Sequence, residues 1–190
     1  MLSDGAGAMV LQDTPNPQGL SLKIEWIDVL SYAGVMPTCM YSGGEMVDGK
    51  LKGWRGYTQH EVMSKSLLSI AQDVKLLNEN IVEYTVTKPL QEILKKRPLD
   101  AASIDYFLPH YSSEFFKEKL YAGMVEAGFE IPYEKWFTNL TKCGNTGSAS
   151  IYIILEELFH SGKLSKGQKL LCYVPESGRF STAFMLLEVV

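Results

Sequence analysis

The sequence predicts an α/β fold built on a mixed sheet. Three observations carry this: LSLKIEW at residues 20–26 alternates apolar and polar side chains; after Pro98, short apolar runs alternate with helical periodicity; and the last two apolar runs are joined only by PESGR. A turn that short joins antiparallel strands, whereas helical crossovers suit parallel ones, so both pairings are expected in one sheet.

In chain order, residues 5–12 (GAGAMVLQ) read as a strand whose Gly/Ala start lets another backbone or a ligand approach closely. Leu20, Leu22, Ile24 and Trp26 share one face of the next strand, and the slip in phase at Ile27 and Val29 predicts a bulge or a passage into fuller burial. Residues 41–56, rich in Gly and charge, read as a surface excursion with a hairpin turn at Asp48-Gly49. From Thr58 to Lys96 the spacing is helical, with Met63, Leu67, Ile70 and Val74 in phase and Pro89 dividing the segment in two. Ile104–Leu108 is a short buried strand closed by Pro109. Ser112 or Ser113 is then placed to cap a helix running to about Ala127, with Phe116, Leu120 and Met124 in one row and Gly128 as its stop. Ser148 is placed to cap a helix whose Ile151, Ile154, Leu155, Leu158 and Phe159 form one apolar face ending near Gly162. Strands at about 169–174 and 180–190 complete a set of five, with helices on the faces of the sheet.

The chain has 190 residues, 46% of them hydrophobic, enough for one substantial domain or half of a larger one. A formal charge of −4 argues against a nucleic-acid binder or a polybasic membrane surface. No apolar run approaches a membrane span, and the N-terminus lacks the features of a secretory signal. Cys39, Cys143 and Cys172 are odd in number and without CxxC spacing. They fit a reducing cytoplasm and support neither a disulfide framework nor a zinc site, and His60, His110 and His160 add no metal-ligand spacing.

Two polar residues stand at strand-to-helix turns, where open α/β sheets gather ligands: His110 at the end of IDYFLPH and Asn145 in TKCGNTGSASIYI. On spacing alone, Asn145 marks a tight bend beside Gly144, and His110 is a solvated loop histidine.

Four stretches extend the reading: DGAGAMVL at 4–11, LPHYSS at 108–113, CGNTGSAS at 143–150 and the closing ESGRFSTAFMLLEV at 176–189. In this order and spacing, the chain resembles the C-terminal half of the β-ketoacyl-ACP synthase III enzymes of the thiolase superfamily over nearly its whole length. LPHYSS is most similar to the branch that makes dialkylresorcinols and related aryl lipids. The resemblance implies that residues 1–190 form one half of a duplicated, five-layer αβαβα fold, with the cysteine-bearing N-terminal half absent. It implies decarboxylative Claisen condensation in fatty-acid or aryl-lipid and polyketide synthesis, with acyl-CoA and malonyl-ACP as substrates and no cofactor or metal. His110 and Asn145 match the residues that stabilise the enolate, and Gly178 matches the glycine whose N–H contributes to the oxyanion hole for acyl transfer. The implied partners are acyl carrier protein, the missing half and a second copy in a homodimer; the implied location is the cytoplasm.

Departures from the family pattern qualify this. No cysteine lies in a nucleophile motif, so the chain alone is expected to be inactive. Ser113 and Phe115 stand where the family often has Asn and Arg, and Ser177 and Arg179 replace glycines. Lys117 and Lys119 offer positive charge to an acidic carrier or are a solvated face. Two alternatives stay open: a non-catalytic partner subunit that shapes the pocket of an active synthase, and a self-contained hydrolase using Cys143 and His110.

Overall fold

A computed structural model describes residues 2–190. Strand β1 (Leu22–Ser31) does carry a bulge, but its register shifts between Ile24 and Trp26 and not at Ile27 and Val29; Leu20 and Leu22 therefore pack on one core and Trp26 on the other, not on one shared face, and Ile27 and Val29 are exposed. After β2 (Met40–Tyr41), strands β3 (Gly44–Val47) and β4 (Lys50–Gly53) form the expected hairpin, with Asp48 and Gly49 both at positive φ, 49° and 75°. Positive φ at both central residues defines the turn whose twist matches that of paired strands.

Helix α1 (Gln59–Ser64) opens with a reciprocal capping box between Thr58 and Glu61 and stops at Lys65, with Ser66 at φ 51°. The helical phase from Met63 to Val74 is therefore a coincidence of spacing: Leu67 is buried, but Met63, Ile70 and Val74 are exposed, and β5 (Ala71–Gln72) pairs with β2 instead. Helix α2 (Val74–Val82), a π-helical turn (Glu83–Thr87) and α3 (Lys88–Lys96) then follow without interruption. Pro89 does not break this path. Lys88 N–H donates to the carbonyl of Glu83, five residues back, and the widened turn absorbs the ring and missing donor of the proline.

Strand β6 (Tyr106–Pro109) leads through a 3-10 turn (Glu114–Phe116) into α4 (Lys117–Glu126), which Gly128 ends at φ 75°. The short α5 (Leu140–Cys143) precedes a 3-10 turn (Gly147–Ala149) and α6 (Ser150–Phe159). Neither Ser113 nor Ser148 makes a capping hydrogen bond, because a 3-10 turn opens each helix in place of a capped α-turn. Strands β7 (Lys169–Glu176) and β8 (Ser181–Val189) form the closing hairpin.

The sheet order is β1-β8-β7-β6, with β6 parallel to β7 and the other pairs antiparallel. The sheet is mixed, as expected, but has four strands and not five. Residues 5–12 are not in a strand; they lie against α6 and the loop before it, where a Cβ on Gly5 would sit 2.7 Å from Thr146 Cβ and one on Gly7 would strike Tyr152 of the helix. The Gly/Ala run does admit close neighbours, but they are side chains of Thr146 and α6. A rudimentary fifth pairing comes instead from Trp136, which forms a single parallel bridge to Phe107.

Alternation along β7 divides the core. Leu171 and Tyr173 join Phe107, Phe184 and Leu186 against Val86, Leu90 and Ile93 of the long helix and Leu120 and Met124 of α4. Leu170 and Cys172 join Leu108, Leu187 and Val189 against Ile151, Ile154, Leu155 and Leu158 of α6. Helices thus cover both faces, as a sheet with two apolar faces requires.

Candidate active site

The parallel strands β6 and β7 bring their C-terminal ends together, and a cleft of about 650 Å³ opens there, bounded by the α2–π segment and α4. Its walls are largely apolar, with Ile81, Val82, Val86, Phe116 and Leu120, and a few polar groups converge on it, the usual character of a ligand site.

His110 is the first residue beyond β6. Its backbone N–H donates to the Tyr173 carbonyl (2.8 Å), carrying the parallel ladder one step past the strand and fixing where the ring begins. The side chain is buried, lines the cleft and makes no hydrogen bond within the described residues. Burial pushes its pKa below the ordinary value, so at neutral pH the imidazole is uncharged, with one N–H donor and one acceptor nitrogen.

Asn145 lines the same cleft from the loop between α5 and α6. The chain reverses at Gly144 (φ 75°) and Gly147 (φ 58°), conformations that favour glycine, and a Cβ on Gly144 would also strike Ser3. The Asn145 side-chain oxygen accepts the N–H of Gly147 (3.1 Å), and its carbonyl accepts the N–H of Ser3 (2.7 Å). With the side-chain oxygen engaged, the carboxamide NH2 is the free end, unpaired among the described residues. Two uncharged N–H donors from separate loops therefore share one cleft, and together they can receive an oxygen that develops negative charge.

Gly178 lies in the β7–β8 turn beside the cleft, and its neighbours Glu176 and Ser177 line the cleft wall. Its N–H donates to one carboxylate oxygen of Glu176, while the N–H of Arg179 donates to the other (3.1 Å). The sequence reading missed this contact; its only signal was an acid two residues before the glycine.

A second unforeseen feature is the hydroxyl pair Thr85–Tyr173 (2.8 Å) in the cleft wall. Thr85 donates onward to the Ile81 carbonyl (2.6 Å). The π-helical turn holds Thr85 there, and such turns recur at functional sites.

Among the described residues, no thiol lines the cleft. Cys39 and Cys172 are buried, which pushes both thiols up and away from the reactive thiolate, and Cys143 stands outside the lining. Lys117 and Lys119 occupy the first turn of α4. Lys117 approaches Glu114 at 4.0 Å and the Tyr133 ring at 5.4 Å, and Lys119 lies over Phe115 at 4.1 Å. Among the described residues, no group of three or more His, Cys, Asp or Glu is placed to hold a metal ion, and no helix is long and apolar enough to cross a membrane.

Residues 94–186 match the family described as 3-oxoacyl-[acyl-carrier-protein (ACP)] synthase III C terminal, a span that includes His110, Asn145 and Gly178. The chain is 24% identical over 189 residues to a β-ketoacyl-[acyl-carrier-protein] synthase III of Koribacter versatilis, covering 98% of this chain and 51% of that protein. It is 29% identical over 171 residues to one from Clostridium perfringens, covering 90% and 47%. The chain thus spans about half the length of the curated relatives it matches. The crystal structure of 3-oxoacyl-[acyl-carrier-protein] synthase III from Aquifex aeolicus superposes with a TM-score of 0.61 at 20% identity, over 88% of this chain and 44% of that one. The chain thus shares the fold of the 3-oxoacyl-[acyl-carrier-protein] synthase III structures, and its residues 94–186 are similar to the C-terminal part of that family.

Proposed function

We propose that residues 1–190 are the C-terminal catalytic domain of a 3-oxoacyl-ACP synthase III-like acyltransferase, which carries out decarboxylative Claisen condensation together with a cysteine-bearing N-terminal half. The observation that carries this reading is the convergence of a neutral His110 and the free NH2 of Asn145 on one cleft. In the proposed reaction, an acyl group passes from acyl-CoA to the cysteine of the other half. The C–C bond of malonyl-ACP then breaks and releases carbon dioxide, and the electron pair moves onto the thioester as an enolate. His110 and Asn145 donate N–H to its oxygen. The enolate carbon attacks the acyl-cysteine thioester, and the thiolate leaves.

Each preorganised donor at such an oxygen is worth about 2.7–4 kcal/mol of barrier. That no thiol among the described residues lines the cleft fits a division of labour in which the nucleophile is supplied elsewhere. No cofactor takes part. Lys117 and Lys119, in the first turn of α4, are the proposed contacts for an acidic carrier protein. A homodimer and a cytoplasmic location belong to the same reading. The LPHYSS form of the histidine turn supports an aryl-lipid branch of the dialkylresorcinol type.

The test is reconstitution. The chain alone should not transfer acyl groups; adding a cysteine-bearing half should restore transfer and condensation, and His110→Ala or Asn145→Ala should then block decarboxylation. Malonyl-ACP turnover indifferent to both substitutions refutes the roles. One observation favours the alternative of a non-catalytic partner subunit: the Gly178 N–H is already occupied by Glu176. A stable complex with a complete, cysteine-bearing synthase, whose rate ignores substitution at His110, would establish that reading.

A further inference from the structure

We propose that Glu176 is an internal plug: its carboxylate fills the anion-receiving amides of Gly178 and Arg179 at the cleft, and a substrate oxyanion binds there only when this side chain swings out. The proposal rests on the reading of Gly178 as an oxyanion donor.

The geometry separates a fixed receptor from a movable occupant. The backbone of the turn is pinned from behind, because the Gly178 carbonyl accepts the N–H of Cys39 (2.8 Å) and the Phe180 carbonyl accepts the N–H of Tyr32 (3.1 Å). Phe180 is fully buried at φ 54° and packs against Tyr84, which locks the exit from the turn. The two amides therefore keep their direction whichever way the Glu176 side chain turns. Glu176 itself is exposed, forms no ion pair among the described residues, and is held by these two amides alone. Its chain can rotate out without breaking any packing of the core.

A carboxylate oxygen and the oxygen of a tetrahedral thioester adduct make the same demand on these donors: negative charge and short N–H contacts. Both cannot be accommodated, because two like charges would then share one pair of amides. Acyl transfer through Gly178 thus competes with an anion of the chain's own, tethered two residues away. A permanent clasp for the turn would need the carboxylate to stay in place, and it would make its removal harmful.

The experiment follows the Gly178 and Arg179 amide resonances of the 15N-labelled protein during titration with acetate, the free counterpart of the Glu176 side chain. In wild type the two resonances should not respond, because the site is filled. In Glu176→Ala both should shift saturably as acetate takes the vacated place; a native-like spectrum without that shift overturns the plug. Glu176→Gln keeps the size of the side chain and loses its charge, so both amides should exchange with solvent faster than in wild type; unchanged exchange also overturns it. In the protein assembled with a cysteine-bearing half, Glu176→Ala should raise the rate of acyl transfer about tenfold, the factor that one charge-assisted hydrogen bond represents. Acetate binding without faster transfer refutes the oxyanion role of Gly178 and the gating built on it, whereas no acetate binding refutes the plug itself. The roles of His110 and Asn145 are read separately, from decarboxylation.

Discussion

Replacing Gly123 with alanine tests how the cleft wall is built. Gly123 is buried on α4, where it faces the π-helical turn, and a Cβ there would lie 2.5 Å from Val82 Cγ1 and 3.2 Å from both Val86 Cγ1 and Thr87 Oγ1. Carbon–carbon contacts are comfortable at about 3.5–4.0 Å, so the nearest one must open by roughly 1 Å or more. Val82 is β-branched and stiff at χ1 within its helix, and cannot simply turn aside. The methyl must therefore push α4 away from the long helix, stretching the contact from Thr87 Oγ1 to the Gly123 carbonyl (3.3 Å). Overpacking of this kind costs about 1–3 kcal/mol, against which the helix propensity gained by replacing glycine offsets less than about 1 kcal/mol. At roughly 2–4 °C per kcal/mol for a chain of this size, the net expectation is a Tm lower by several degrees, with Gly123→Ser behaving similarly. Thermal unfolding followed by circular dichroism measures it. A Tm equal to or above that of wild type would refute the account of α4 seated directly on the π-helical turn, and with it the position of the Leu120 wall.

Two further outcomes concern pH. Burial lowers the pKa of His110 in the folded state, so stability should be complete above its unfolded value of about 6.5 and should decline as pH falls from there towards the lower folded value. Urea midpoints between pH 5 and 8 measure this, and His110→Gln should remove that part of the slope; an equal slope in both proteins excludes His110 as its source. The Asp28 carboxyl is held below the usual range first by its hydrogen bond from Arg97 (2.5 Å). Its contribution should therefore be present above about pH 3.9 and fade as pH falls through the lower folded value. Asp28→Asn should cost about 1 kcal/mol at pH 7 and much less in strong acid; a cost that persists unchanged at low pH would show that packing, not charge, was lost.

What the sequence made legible was local or periodic. The broken alternation in β1 announced a bulge, though a few residues later than it lies, and Asp48-Gly49 located a turn that needs positive φ. The rows on α4 and α6 named the buried faces of both helices. His110 was visible because it sits at a strand-to-helix turn within a recognisable stretch, and Asn145 because it sits in a helix-opening loop within another; the expected strand before Asn145 is instead the short helix α5. What stayed hidden depended on partners distant in the chain. Residues 5–12 have the composition of a strand, but a strand also needs a neighbour to pair with, and here the glycines of the segment meet the side chains of Thr146 and α6 instead. The spacing of Met63, Ile70 and Val74 fitted a helix that the chain abandons at Lys65, and those three side chains are exposed. Pro89 looked like a break because sequence rules assume an α-turn, whereas the π-helical turn before it accommodates the ring. The contact from Glu176 to Gly178 depended on a side-chain rotamer, which no spacing encodes.

The measurement that bears most directly on the central claim is carbon dioxide release from malonyl-ACP by the assembled synthase, in His110→Ala, Asn145→Ala and the double variant. If both groups donate to one enolate oxygen, each single change should slow release by about 10²–10³ and the double should fall short of their product, because the two donors act as a unit. Full activity in either single variant, or losses that multiply as for independent sites, would contradict it.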